Sequence, residues 1–183
     1  MHPRIEELFA VLGTHRAELE RAVDDVPRDL RERRPAPGRW SVAELLEHLA
    51  LVETRVTKAL SLELDKAKAA GIGPERETSP AADMLDIALI MDRTVIREAM
   101  DFVQPRAGLS ADMAVEQLRE RRRQLLATIA AADGLALSEV TAMNPVLGPL
   151  NVYQWMIFVA GHEARHTMQI RECAAALRAG ATA

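Results

Sequence analysis

The stretch NVYQWMIFVAGHEARHTMQIRECAAAL, which covers residues 151–177, decides the fold class of this chain. Apolar residues recur in it every three or four positions, the period of an α-helix, at Val152, Trp155, Met156, Val159, Ile170, Cys173 and Leu177. Asn151 is predicted to cap this helix, with Gln154 bonding back to the cap residue. His162 and His166 lie on the same stripe, so the predicted helix turns two imidazoles toward the core.

Three further helices are predicted upstream. The first extends over about Pro3–Asp24, because its apolar residues have helical spacing. The second begins after Ser41, whose side chain can form a capping box with Glu44, and it ends at Gly71. The third extends over about Ser110–Gly134, and its inward residues are expected to be Met113, Leu118, Leu125 and Ile129.

These elements predict an all-α four-helix bundle, folded as one domain over residues 1–183. Strand signals are nearly absent from the sequence. The connection over residues 74–109 is long enough for the second and third helices to lie parallel. Within it, residues 83–95 are predicted to form a short helix or an extended strip on the bundle. The basic run over residues 119–123 is predicted to face solvent.

Composition excludes several classes of function. The 183 residues carry 23 Lys plus Arg against 27 Asp plus Glu, a net charge of −4, which argues against a nucleic-acid footprint. No apolar run approaches the roughly 18 to 20 residues that span a bilayer, and the first residues lack the apolar core of a signal peptide. The single cysteine, Cys173, excludes an internal disulfide. We therefore expect a cytoplasmic protein that binds neither nucleic acid nor membranes, and whose substrate is a small molecule.

The histidines are the candidate metal ligands. His162 and His166 are four residues apart in a predicted helix, so they lie about 40° apart around the axis and about 6 Å along it. Burying two imidazoles without polar partners is unfavourable, and one metal ion would satisfy both. His48, beside the inward stripe of the second helix, is the best third ligand. His15 is predicted to be a core or supporting histidine, and His2 a surface residue.

Two alternatives compete with this metal site. His162 and His166 could instead form hydrogen bonds across the bundle without any metal. The string HEARH, residues 162–166, also matches the H-E-x-x-H pattern in which the glutamate of a metalloprotease is the general base. A protease is disfavoured because no sheet is predicted to bind a substrate strand. Glu163 is left with two roles: orienting a metal-bound water or a histidine, or forming an outward salt bridge.

Two segments of the sequence resemble the DinB superfamily, the DinB/YfiT-like four-helix-bundle metalloproteins. The first is GRWSVAELLEHL, residues 38–49, and the second covers residues 144–155 and is followed by His162, His166 and Gln169. The resemblance implies a divalent ion, usually nickel or zinc, held by the second-helix histidine, His48, together with His162 and His166. It also implies a homodimer and similarity to transferases and isomerases that use thiols such as bacillithiol or mycothiol.

The functional prediction is a metal-dependent enzyme of the thiol S-transferase or hydrolase type that acts on a small molecule. Three neutral histidines leave a coordination position open, as catalytic rather than structural metal sites do. In this interpretation a metal-bound water or thiol is the attacking group. The alternatives are a non-catalytic module that binds a metal or a ligand, stress-related and dimeric, and a dimerisation domain with no metal.

Overall fold

The computed structural model describes residues 1–94, 98–106 and 108–181. Within them, four long helices form the predicted bundle, and a fifth, short helix lies in the long connection. In chain order the helices are α1 (Pro3–Asp24), α2 (Val42–Ala69), α3 (Ile87–Met91), α4 (Ala111–Ala130) and α5 (Val152–Ala181). Single 3₁₀ turns lie at Arg28–Leu30, Ala82–Met84, Asp101–Val103 and Leu137–Glu139. Over the described residues, no helix combines the length and apolar character that a membrane span requires.

The helix starts are where capping chemistry predicts them. The Glu44 backbone N–H donates to the Ser41 hydroxyl at 3.2 Å, and the Ser41 N–H donates to the Glu44 carboxylate at 2.8 Å, which completes the capping box. Asn151 and Gln154 exchange the same pair of hydrogen bonds, at 2.9 and 3.0 Å. His2 has a definite role beyond the predicted surface position, because it is the N-cap residue of α1.

The long connection between α2 and α4 lets these helices lie parallel, as predicted. Glu53 pairs with Arg122 in their middles, and the Lys68 ammonium donates to the Ala131 carbonyl at their carboxyl ends. α1 and α5 are parallel neighbours in the same way, since Arg4 lies over the Tyr153 ring near both amino ends. The bundle therefore consists of two parallel helix pairs.

The prediction that strands are nearly absent is wrong over residues 141–151. Strands β1 (Thr141–Asn144) and β2 (Gly148–Asn151) form an antiparallel hairpin just before α5. The Asn144 side-chain oxygen accepts the backbone N–H groups of Val146 and Leu147 and so closes the turn. Gly148 has φ +80, which glycine adopts without strain. The hairpin leaves the all-helical bundle intact and lies beside the candidate site.

A buried charged layer divides the apolar core into two clusters. Each long helix contributes one charged side chain at the boundary, namely Arg16 from α1, Glu53 from α2, Arg122 from α4 and Glu163 from α5. Both guanidinium groups pair with both carboxylates, so the four charges form a closed, neutral ring. Charges in a bundle interior require such pairing.

Two predictions about α4 are wrong. Arg122, predicted to face solvent with its neighbours, is buried in the charged ring. Met113, predicted to face the core, is 57% exposed. The buried stripe of α4 passes through Ala114, Leu118, Arg122, Leu125 and Ile129 at spacings of three and four residues, and Met113 is one residue out of phase with it.

The long connection is fastened across α5. Ile87 and Ile90 of α3 pack against Gly161, and Arg165 donates to the carbonyls of Ile90 and Asp92. Part of the predicted segment 83–95 is thus a short helix, while Val95 lies outside the described residues. Further along the connection, the 3₁₀ turn Asp101–Val103 lies beside the histidines, where the Val103 carbonyl contacts His48.

Replacing Gly161 by alanine is expected to destabilise the fold by about 1–2 kcal/mol, because overpacking outweighs the gain in helix propensity. A Cβ at position 161 would lie 2.8 Å from the Ile87 Cγ1 atom and 3.0 Å from the Ile90 Cβ atom. Gly13 of α1 is the matched control, since nothing lies within 4 Å of its Cβ position. Denaturant unfolding of both variants checks this, with Gly13→Ala gaining about 0.5–1 kcal/mol. Equal stabilisation by both changes would contradict the packing of α3 on α5.

Candidate metal centre

The structure brings together the three histidines predicted as metal ligands. His48 lies in the second turn of α2, and His162 and His166 lie on consecutive turns of α5. One ring nitrogen from each lies within 4.8 Å of the others. His48 and His166 are buried and His162 is half-buried. Among the described histidines, His2 and His15 are outside this cluster.

The ring nitrogens have the spacing of ligands to one ion. The His162 Nε2 atom is 3.1 Å from the His166 Nε2 atom and 3.4 Å from the His48 Nε2 atom. With metal–nitrogen bonds of 2.0–2.1 Å, neighbouring ligands of a tetrahedral zinc ion are about 3.3 Å apart. Both of these distances therefore match neighbouring ligands of one ion, and the ring nitrogens of all three histidines lie within 4.8 Å of one another.

The outer nitrogens of two rings are held by hydrogen bonds. The His48 Nδ1 atom lies 2.7 Å from the Val103 carbonyl oxygen, and the His166 Nδ1 atom lies 2.5 Å from the Gln169 side-chain oxygen. Both partners are acceptors, so each Nδ1 carries the proton and each Nε2 presents a lone pair inward. Such partners orient the ligands of metal sites and select their tautomer.

Hydrogen bonding alone does not satisfy this cluster. The His162 Nε2 atom can carry one proton and donate it to the lone pair of His48 or to that of His166. The other lone pair then faces the cluster without a donor from it. One cation at the centre would accept all three lone pairs, so the donor set fits a divalent ion better than the metal-free alternative.

The protonation states also suit metal binding. Burial lowers the pKa of His162 to about 3, with the neighbouring His48 and Arg165 acting in the same direction. Burial likewise lowers the pKa of His48 and, more strongly, that of His166. All three rings are therefore neutral near pH 7, which is the form that binds metal.

Aromatic rings surround the histidines. The Trp40 ring lies 5.0 Å from the His48 ring between centroids, and the Phe158 ring stacks on His162 at 5.7 Å. A cavity of about 420 Å³ opens beside the cluster, within the size range of small-molecule sites. A ligand could therefore approach the nitrogens through an apolar space.

Glu163 belongs to the charged ring rather than to the histidine cluster. Its two carboxylate oxygens accept from Arg16 at 2.5 Å and from Arg122 at 3.0 Å. The predicted outward salt bridge is thus a salt bridge, but a buried one inside the bundle. Since both oxygens are engaged, the HEARH string does not supply the general base of a metalloprotease.

Three further polar or ionisable side chains of α5, Arg165, Arg171 and Cys173, lie near the cluster in sequence. Arg171 is exposed, whereas Arg165 is half-buried at the cavity and holds the long connection. Cys173 is buried, and burial raises the pKa of its thiol, so a core role is favoured over a nucleophilic one.

Comparison with known proteins supports the family resemblance. A family model of the DinB superfamily matches residues 12–170. The uncharacterized protein YuaE of Bacillus subtilis (strain 168) is 31% identical over 140 residues, which cover 76% of this chain and 80% of YuaE. The chain belongs to the DinB superfamily. The crystal structure of TT2238, a four-helix bundle protein, has a TM-score of 0.61 at 20% identity, covering 92% of this chain and 98% of TT2238. A likeness at this identity supports the fold alone.

In this DinB superfamily member, two supporting groups had no role assigned from the sequence. Gln169 stands three residues after His166, and that helical spacing was the available signal for its hydrogen bond to the ring. The Val103 carbonyl had no such signal, because a backbone oxygen leaves no trace in the residue type. Its position depends on the path of the long connection.

Proposed function

We propose that this chain is a divalent-metal-dependent enzyme of the thiol S-transferase or hydrolase type that acts on a small molecule. The observation that carries the proposal is the cluster of three neutral imidazoles whose Nε2 atoms converge beside an open cavity. His48, His162 and His166 would hold the ion, with zinc or nickel as the first candidates. Fewer than four protein ligands leave room for a substrate, which favours catalysis.

When bound there, a divalent ion would lower the pKa of a coordinated thiol or water and so supply a nucleophile near neutral pH. The chain's own residues contribute orientation and exclusion of water. Val103 and Gln169 hold the His48 and His166 rings in one tautomer, and Trp40 and Phe158 shield the cluster. A low-dielectric surrounding strengthens the attraction between the ion and an anionic nucleophile.

Turnover by the metal-loaded protein tests this proposal. The protein would be loaded with zinc or nickel and assayed for transfer of several low-molecular-weight thiols to an aryl halide, and for ester hydrolysis. We expect metal-dependent turnover that falls at least about 100-fold in His48→Ala, since metal stabilisation of charge supplies several kcal/mol. His15→Ala is the matched control and should retain turnover, because His15 lies outside the cluster.

Both variants would be checked by circular dichroism for retention of the helical fold. Bound metal with no turnover in either assay would contradict the enzyme proposal. It would favour the second candidate, a non-catalytic module whose histidines bind a metal. Turnover that persists unchanged in a folded His48→Ala protein would contradict the assignment of the site.

A further inference from the structure

The cavity beside the histidines is elongated. Its two walls are antiparallel helices, with His48 to Ala59 along α2 and Trp155 to Gln169 along α5. The α2 wall covers twelve residues, and the helical rise makes that about 16 Å. His48 lies at one end of this length, so the α2 wall extends away from the histidines.

Beyond the histidines, the walls are mainly apolar. On α2 the apolar lining residues are Val52, Val56 and Ala59, and Arg55 lies among them. On α5 the rings of Trp155, Phe158 and His162 follow one another, with centroids 5.3 and 5.7 Å apart. Trp155 meets Phe158 edge-on and Phe158 stacks on His162. These rings, with the aliphatic side chains of α2, form a mainly apolar slot that leads to the three nitrogens.

Exposed apolar side chains continue the slot to the surface. Phe102 is 51% exposed, Met143 70% and Val146 51%, and all three line this cavity. Scattered exposed apolar residues are ordinary, but a group at one cavity marks a binding region. The hairpin, which the sequence did not predict, therefore has a place in the site, because Met143 and Val146 belong to it.

Two cations at the cavity are already engaged by the protein. The Arg165 guanidinium donates to carbonyl oxygens of the long connection. The Arg55 guanidinium lies 4.0 Å above the Phe102 ring and covers its face. Glu98, which is exposed, also lines the cavity. With both cations engaged in protein contacts, recognition of the ligand body rests on the apolar part of the lining.

We propose that the site takes a small molecule with one metal-binding head group and an elongated apolar body that lies in the slot between α2 and α5. This inference rests on the proposed function for the head group, whereas recognition of the apolar body depends on the slot alone. The histidines determine which end of the molecule reacts, and the length of the slot determines how long an apolar body can be bound.

A series of straight-chain hydroxamates, from acetohydroxamate to decanohydroxamate, tests this inference. The head group is constant and binds metals, while the chain lengthens by one methylene at a time. We expect the dissociation constant to fall about fourfold per methylene, by transfer of apolar surface, until the slot is full. Titration calorimetry would measure the series on zinc-loaded protein and on metal-free protein.

Two matched variants of α2 test whether the alkyl chain of the hydroxamate lies in the slot. Ala59→Phe puts a ring into the far end of the cavity, so affinity should stop rising at a shorter chain length. Leu62→Phe changes a side chain that is 55% exposed on the same helix, and the series should keep its wild-type slope. Thermal unfolding of both variants establishes that they are folded.

The outcomes separate the slot from the metal. If affinity for metal-free protein rises with chain length, and Ala59→Phe stops that rise at a shorter chain, the slot is supported. If zinc adds nothing to the affinity in the same experiment, the proposed function is overturned and the slot is not. Acetohydroxamate and decanohydroxamate binding equally well to zinc-loaded protein would overturn the slot and leave the metal site standing. A slope that Ala59→Phe leaves unchanged would also overturn the slot.

Discussion

Replacement of Arg122 by methionine is expected to destabilise the fold by about 3–5 kcal/mol, the effect of removing one partner of a buried ion pair. Arg122 pairs with Glu53 and Glu163 and also donates to the Leu12 carbonyl. Methionine is similar in length and suits an apolar interior, so the loss comes from two carboxylates that keep Arg16 as their remaining partner.

Arg123→Met is the control, because the Arg123 side chain is 72% exposed and pairs only with its helix neighbour Glu120 among the described ion pairs. Its effect should stay within about 0.5 kcal/mol. Urea unfolding of both variants measures the difference. Equal effects would show that the charged ring contributes nothing specific to stability.

The stability deficit of Arg122→Met is expected to shrink as the pH falls. Burial raises the pKa of Glu53 in the folded protein, and Arg122 and Arg16 oppose that rise. Without Arg122 the pKa of this carboxyl rises further. When the pKa of a carboxyl is higher in the folded than in the unfolded protein, the free energy of unfolding falls as the pH rises from the unfolded-state pKa through the folded-state pKa. Unfolding in urea at pH 5 and at pH 8 checks the sign, and a deficit that is larger at pH 5 would contradict it.

Zinc is expected to raise the melting temperature of the wild-type protein and to leave that of His162→Ala unchanged. At a free zinc concentration of 100 times the dissociation constant, binding adds about 2.7 kcal/mol. For a chain of this size that corresponds to roughly 5–10 °C. His162 contacts both other histidines through its Nε2 atom, so its loss removes the centre of the ligand set.

A chelator is expected to return the melting temperature to the metal-free value without unfolding the protein. The two apolar clusters and the charged ring hold the four helices together without any contribution from the three histidines. Unfolding on chelation would instead indicate a structural metal. An equal zinc-induced shift in His162→Ala would contradict the assignment of the ligands.

The sequence predicted the helices and the histidine cluster because both depend on local spacing. The capping pairs at Ser41 and Asn151 mark where α2 and α5 begin, and the four-residue spacing of His162 and His166 is visible in a single helix. His48 could be predicted because it flanks an inward stripe on another helix of a recognisable bundle.

The features that were missed depend on contacts between distant residues. The charged neighbours of Arg122 predict a side chain that faces solvent, whereas Glu53, on another helix, explains its burial. A sharper sequence signal existed, since Arg122 stands four residues after Leu118 and three before Leu125 on the buried stripe. The sequence does not predict the β1–β2 hairpin because its strands are only four residues long, and prolines stand in the turn, at Pro145, and in β2, at Pro149.

Elemental analysis tests the central claim most directly. Untagged wild-type protein, His162→Ala and His15→Ala would each be incubated with zinc and with nickel, freed of unbound ions, and measured by plasma mass spectrometry. We predict about one ion per chain in the wild type and in His15→Ala, and almost none in His162→Ala. No bound ion in the wild type, or an equal amount in His162→Ala, would contradict a metal centre at His48, His162 and His166.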